Sequence, residues 1–114
     1  MIFITGPLFA GKKSYIRKTL SLTEEVFADC AVWDVQERVP CQNLEALAEE
    51  LSEKAIVIAT EIGGGVVPVD AGERRKREEA GRLACLLAER ADTVIRVCCG
   101  LPQLLKGEWP CASR

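Results

Sequence analysis

Ile2-Phe3-Ile4-Thr5-Gly6-Pro7-Leu8-Phe9-Ala10-Gly11-Lys12-Lys13-Ser14 opens the chain with an apolar run, a glycine-bounded loop and the start of a helix pattern. The apolar run reads as a short buried strand. The spacing of Gly6, Gly11 and Lys12 is that of a phosphate loop, GxxxxGK[ST]. In such a loop backbone N–H groups cradle phosphates, the lysine pairs with the terminal ones, and the next hydroxyl holds Mg²⁺. The order strand, glycine loop, helix is the one the motif requires. Residues Gly6, Pro7, Leu8, Phe9, Ala10, Gly11, Lys12, Lys13 and Ser14 are therefore the candidate nucleotide cradle, with Lys12 as its catalytic cation.

One position departs from the motif. Lys13 stands where the Mg²⁺-binding hydroxyl belongs, removing an oxygen ligand and bringing a positive charge near the expected metal. Ser14 does not substitute, because one helix step turns a side chain by about 100°. Lys13 retains the reach to touch a phosphate as a point charge, so phosphate affinity is expected to outlast Mg²⁺-dependent chemistry.

The 114 residues suit a single domain, read here as one nucleotide-binding unit over 1–114. Hydrophobic residues at 48% and charged residues at 28% describe a folded globular chain. A formal net charge of −2 gives no general attraction to nucleic acid or anionic membrane, so an anion site must be local. Arg74, Arg75, Lys76 and Arg77 are followed by Glu78 and Glu79, a pattern of a solvated helix face. No apolar run reaches membrane-spanning length. Six cysteines stand without a secretion-type leader, which points to a reducing cytoplasm. With no CxxC pair and no histidine, they read as small buried thiols rather than a zinc site.

Strand and helix patterns alternate along the chain. Val26 to Trp33 suggests a second strand carrying Asp29, the candidate acid that holds Mg²⁺ through water, with Asp34 as its rival. A solvent-facing acid at a strand end is the alternative reading. Asn43 caps a helix whose stripe is Leu44, Leu47, Ala48 and Leu51. Ala55 to Thr60 is an unbroken apolar strand, and Gly63 to Gly65 follow as either a ligand-facing or a simple tight turn. Ala71 to Ala91 predicts a long helix with Ala80, Leu83, Ala84, Leu87 and Ala91 buried and charged i, i+4 pairs outside. Thr93 to Cys98 reads as the last strand, after which Gly100-Leu101-Pro102 turns the chain away. The whole predicts an open, mostly parallel α/β sheet with helices on both faces, three-layered and reduced in size.

Glu61-Ile62-Gly63-Gly64-Gly65-Val66-Val67-Pro68, then Arg74-Arg75, Ala80-Gly81-Arg82-Leu83, Ala91-Asp92 and Gly100-Leu101-Pro102, resemble the C-terminal half of one enzyme family. It is the bifunctional adenosylcobinamide kinase/adenosylcobinamide-phosphate guanylyltransferase family of cobalamin biosynthesis. Asp29-Cys30 with Trp33 is similar, more loosely, to that family's Asp-Cys-x-x-x-Trp strand. The resemblance implies GTP or ATP as the nucleotide, a corrinoid as partner, and Glu61, Gly63, Gly65 and Arg82 as substrate-side positions. A homo-oligomer is compatible with it. The family phosphorylates the aminopropanol arm of cobinamide, then transfers GMP through a guanylylated histidine. This chain contains no histidine, the segment that would carry it is missing, and Ala84 and Cys85 occupy the family's Asn-Gln positions. The resemblance thus implies a kinase-like and guanylyltransferase-like nucleotide binder that has lost covalent guanylyl transfer. A noncatalytic corrinoid- or partner-binding remnant is the alternative.

Overall fold

The computed structural model describes residues 1–62 and 70–111. Gly63 and Gly65 lie outside the described residues. Strand β1, Ile2–Thr5, is followed by helix α1, Lys12–Thr19, then α2, Glu24–Cys30, and the two-residue strand β2, Ala31–Val32. A 3₁₀ turn at Val35–Arg38 leads to α3, Leu44–Leu51, and β3, Ile56–Ile58. The long α4, Ala71–Arg90, precedes β4, Thr93–Cys98, and β5, Leu101–Lys106. The strands lie in the order β2-β3-β1-β4-β5, parallel except for the antiparallel pair β4 and β5.

Both faces of the sheet are covered, which explains the unbroken apolar strands. Successive side chains on a strand point to opposite faces. Phe3, Val57 and Val94 accordingly pack with Leu47, Leu51, Leu83 and Leu87 of α3 and α4. Ile4, Ile56, Ile58, Ile95 and Val97 pack on the other side with Ile16 of α1 and Phe27 of α2. The Asn43 side chain accepts from the Ala46 N–H and starts α3 as its sequence predicts. No helix is long and apolar enough to cross a membrane among the described residues.

Three sequence expectations are corrected. The stretch Val26 to Trp33 is mostly helix: Thr23 accepts from the Val26 N–H, Glu24 and Glu25 occupy the first turn, and Phe27 turns inward. Cap and acidic first turn together outweigh the β-propensity of the apolar residues. Only Ala31 and Val32 pair with β3. Nor is Thr93–Cys98 the last strand. Cys99 and Gly100 both take positive φ, 54° and 75°, which makes a tight hairpin turn of the sort that matches strand twist. Pro102 is tolerated in β5 because that strand is at the sheet edge. Finally, the cysteines are not buried: Cys85, Cys99 and Cys111 are exposed, and Cys30, Cys41 and Cys98 are half-buried.

Candidate functional site

The loop Gly6 to Gly11 rises from the carboxyl end of β1 and is held from two sides. The Glu61 N–H donates to the Gly6 carbonyl at 2.8 Å, and the Gly100 N–H donates to the Ala10 carbonyl at 2.8 Å. Gly6 has φ 150°, and a Cβ placed there would lie 2.1 Å from the Val97 carbonyl oxygen. Only glycine fits that approach. At the far end Gly11, left-handed at φ 86°, caps α1 with no side-chain hydrogen bond. The first N–H groups of a helix have no intrahelical acceptor, so this end of α1 offers donors to an anion. Leu8 and Phe9 stand out at the loop tip, Phe9 almost wholly exposed.

Lys12 is buried, and its Nζ donates to the Pro7 carbonyl at 2.6 Å. Burial pushes its pKa below the ordinary lysine value, while the Asp34 and Glu61 carboxylates pull it back up. Those two acids therefore face the lysine from the segments that follow β2 and β3. Glu61 is itself engaged: Arg96 donates from Nε to Oε2 at 2.8 Å and from Nη2 to Oε1 at 2.9 Å. These hydrogen bonds hold the Glu61 carboxyl below its usual range, and the same carboxylate raises Arg96. Gln36, buried in the 3₁₀ turn just after Asp34, accepts from the Thr60 N–H at 2.8 Å. That bond ties the segment bearing Asp34 to the segment bearing Glu61. A cavity of about 120 Å³ opens beside them, with Thr5, Gln36, Thr60 and Glu61 on its polar side.

The remaining sequence candidates are distributed unevenly. Lys13 extends over the Trp33 ring, 4.5 Å from its centroid, and Trp33 stacks on Phe27 with ring centroids 5.3 Å apart. Its charge is held by an aromatic face. Ser14 is exposed on α1. Asp29 lies exposed in the last turn of α2, which runs directly into β2. Because β2 runs parallel to β1, that is the amino end of the sheet, away from the loop. The acid following β2 at the carboxyl end is Asp34. Arg82 is not brought to the loop; it lines a broad groove of about 1010 Å³ between residues 41–45 and α4, with Arg75, Glu79 and Cys85.

Arg96 is a site residue that sequence reasoning missed. Its signal is the one charge inside the apolar run Thr93 to Cys98. A charge in a strand covered on both faces needs a partner, and the partner here lies 35 residues away.

A family described as cobinamide kinase / cobinamide phosphate guanyltransferase matches residues 18–105. The bifunctional adenosylcobalamin biosynthesis protein CobP of Pseudomonas aeruginosa is 45% identical over 67 residues, covering 56% of this chain and 39% of that protein. The chain thus aligns with well under half of its curated relative. The family match begins beyond Lys12, so the cradle rests on its own geometry.

Proposed function

The chain belongs to the cobinamide kinase / cobinamide phosphate guanyltransferase family, and we propose that it is a nucleotide-binding member of cobalamin biosynthesis acting in the cytoplasm. GTP or ATP places its phosphates in the Gly6 to Lys12 cradle. One observation carries the reading: Lys12 sits buried at the mouth of a glycine-ended loop, held on the Pro7 carbonyl and faced by Asp34 and Glu61. An entering polyphosphate offers Lys12 stronger, charge-assisted hydrogen bonds than a neutral carbonyl does. The loop N–H groups and the start of α1 orient the phosphates, and the largely apolar cavity next to Glu61, with Thr5, Gln36 and Thr60 on its polar side, receives the group that approaches them.

A Mg²⁺ ion would supply positive charge to the phosphates in such a site. The residues present fit it poorly. Both Glu61 oxygens are occupied by Arg96, and position 13 offers an ammonium over Trp33 instead of a hydroxyl. Guanylyl transfer through a histidine has no nucleophile in this chain, so the kinase-type half is the activity proposed to survive. The same losses favour a second reading, in which the chain binds a nucleotide or corrinoid without turnover.

The test is product analysis. The chain is incubated with cobinamide and either GTP or ATP, and separately with cobinamide phosphate and GTP. Formation of cobinamide phosphate supports the kinase reading. A GDP-linked corrinoid refutes the loss of the second half-reaction. Binding with no product in either mixture favours the noncatalytic reading.

A further inference from the structure

The Glu61–Arg96 pair crosses the mouth of the loop. Arg96 is level with Thr5 in the β1–β4 register, and the Glu61 N–H reaches the Gly6 carbonyl. β1 lies between β3 and β4, so the ion pair spans the point where β1 gives way to the loop. Alternation along the strands puts Arg96 on the same face as Phe3 and Val94, yet its side chain remains 38% exposed at the strand end. Two of the five guanidinium donors face Glu61.

We propose that Arg96 is a phosphate ligand of this site, releasing Glu61 to take the terminal phosphoryl oxygens of a nucleoside triphosphate and supplying the positive charge that Mg²⁺ would otherwise bring. The proposal rests on the reading that the loop holds nucleotide phosphates. Three observations carry it. The fork that now grips a carboxylate fits two phosphate oxygens in the same way. Lys12 and Arg96 are balanced by Asp34 and Glu61, so a polyphosphate enters by displacing a carboxylate from a cation already in place. The hydroxyl a metal would use has become Lys13, and both oxygens of the Glu61 carboxylate already accept from the arginine. Nucleotide binding therefore runs without a divalent ion.

Calorimetry with GTP, and with inorganic tripolyphosphate as a base-free probe, tests this in EDTA and in Mg²⁺. The native chain binds GTP with the same affinity in both, within about twofold. Since Arg96→Gln also strands the Glu61 charge, the decisive comparison is made in a Glu61→Gln background. There, adding Arg96→Gln weakens GTP and tripolyphosphate alike by about tenfold or more, and Arg96→Lys falls between. Glu61→Gln alone binds more tightly than the native chain. Loss of less than about twofold on removing Arg96, or an affinity of the native chain that rises about tenfold with Mg²⁺, overturns the inference. If GTP binding depends on Lys12 but not on Arg96, only this inference falls. If no variant binds, the native chain included, the nucleotide reading falls with it.

Discussion

Alanine at Gly6 and alanine at Gly81 are the same chemical change with opposite expected consequences. At Gly6 the new Cβ would stand 2.1 Å from the Val97 carbonyl oxygen, where real Cβ contacts do not fall below 3.0 Å, and the backbone sits at φ 150°. The obstructing atom belongs to a central strand bonded on both sides, so it yields only by breaking register with β1 or β5. Backbone strain of about 1–3 kcal/mol and overpacking of about 1–3 kcal/mol give a loss of about 2–6 kcal/mol. That is a large share of the roughly 5–15 kcal/mol that holds a domain together. For a chain of this size the melting temperature should fall by about 10–20 °C. Gly81 lies inside α4 with nothing within 4 Å of the point where a Cβ would stand, so alanine there gains about 0.5–1 kcal/mol of helix propensity. Urea and thermal unfolding followed by circular dichroism measure both. A Gly6→Ala chain melting within about 2 °C of the native one would refute the close-approach account of the loop, and a Gly81→Ala chain falling alongside it would refute the open space beside Gly81.

Other positions give sharper local readouts. Leu87, wholly buried between α4 and the sheet, should cost about 2–5 kcal/mol as Leu87→Ala in urea unfolding, a loss below about 1 kcal/mol contradicting its place in the core. Glu79 accepts from the Cys41 N–H and from Arg75, contacts that hold its carboxyl below the ordinary 4.5. A folded-state pKa depressed in this way contributes stability fully present above the unfolded value and lost as pH falls through the folded one. The native chain should therefore exceed Glu79→Gln in urea midpoint near neutrality and converge on it in acid; a gap constant with pH would show that the carboxylate's charge is irrelevant. Lys13→Ser restores the hydroxyl of the loop motif and uncovers Trp33. It should shift the intrinsic fluorescence and make GTP affinity rise with Mg²⁺, and an affinity still indifferent to Mg²⁺ would remove position 13 from the explanation.

The parts of the fold legible in the sequence are those whose signals are local. β1, the loop and the start of α1 follow from one contiguous motif, α3 from a capping asparagine before a clean apolar stripe, and α4 from twenty residues of helical periodicity. The stretch Val26 to Trp33 misleads because an apolar run too short to show its period yields to a cap lying outside it, at Thr23. With it goes Asp29, displaced to the amino end of the sheet, while Asp34 takes the carboxyl end. β5 escaped notice because its hairpin turns on Cys99 and Gly100, where the left-handed residue is not the usual asparagine or aspartate. The Glu61–Arg96 bridge joins β4 to the segment that follows β3, across the intervening β1. Neither residue announces the other in the chain.

A calorimetric titration of GTP into the native chain and into Lys12→Ala, each checked for an unchanged circular dichroism spectrum, bears most directly on the claim that this loop holds a nucleotide. The account predicts saturable binding by the native chain and a loss of about tenfold or more on removing the Lys12 ammonium, the range for a charge-assisted hydrogen bond. Equal affinities, or no binding by the native chain, would contradict it.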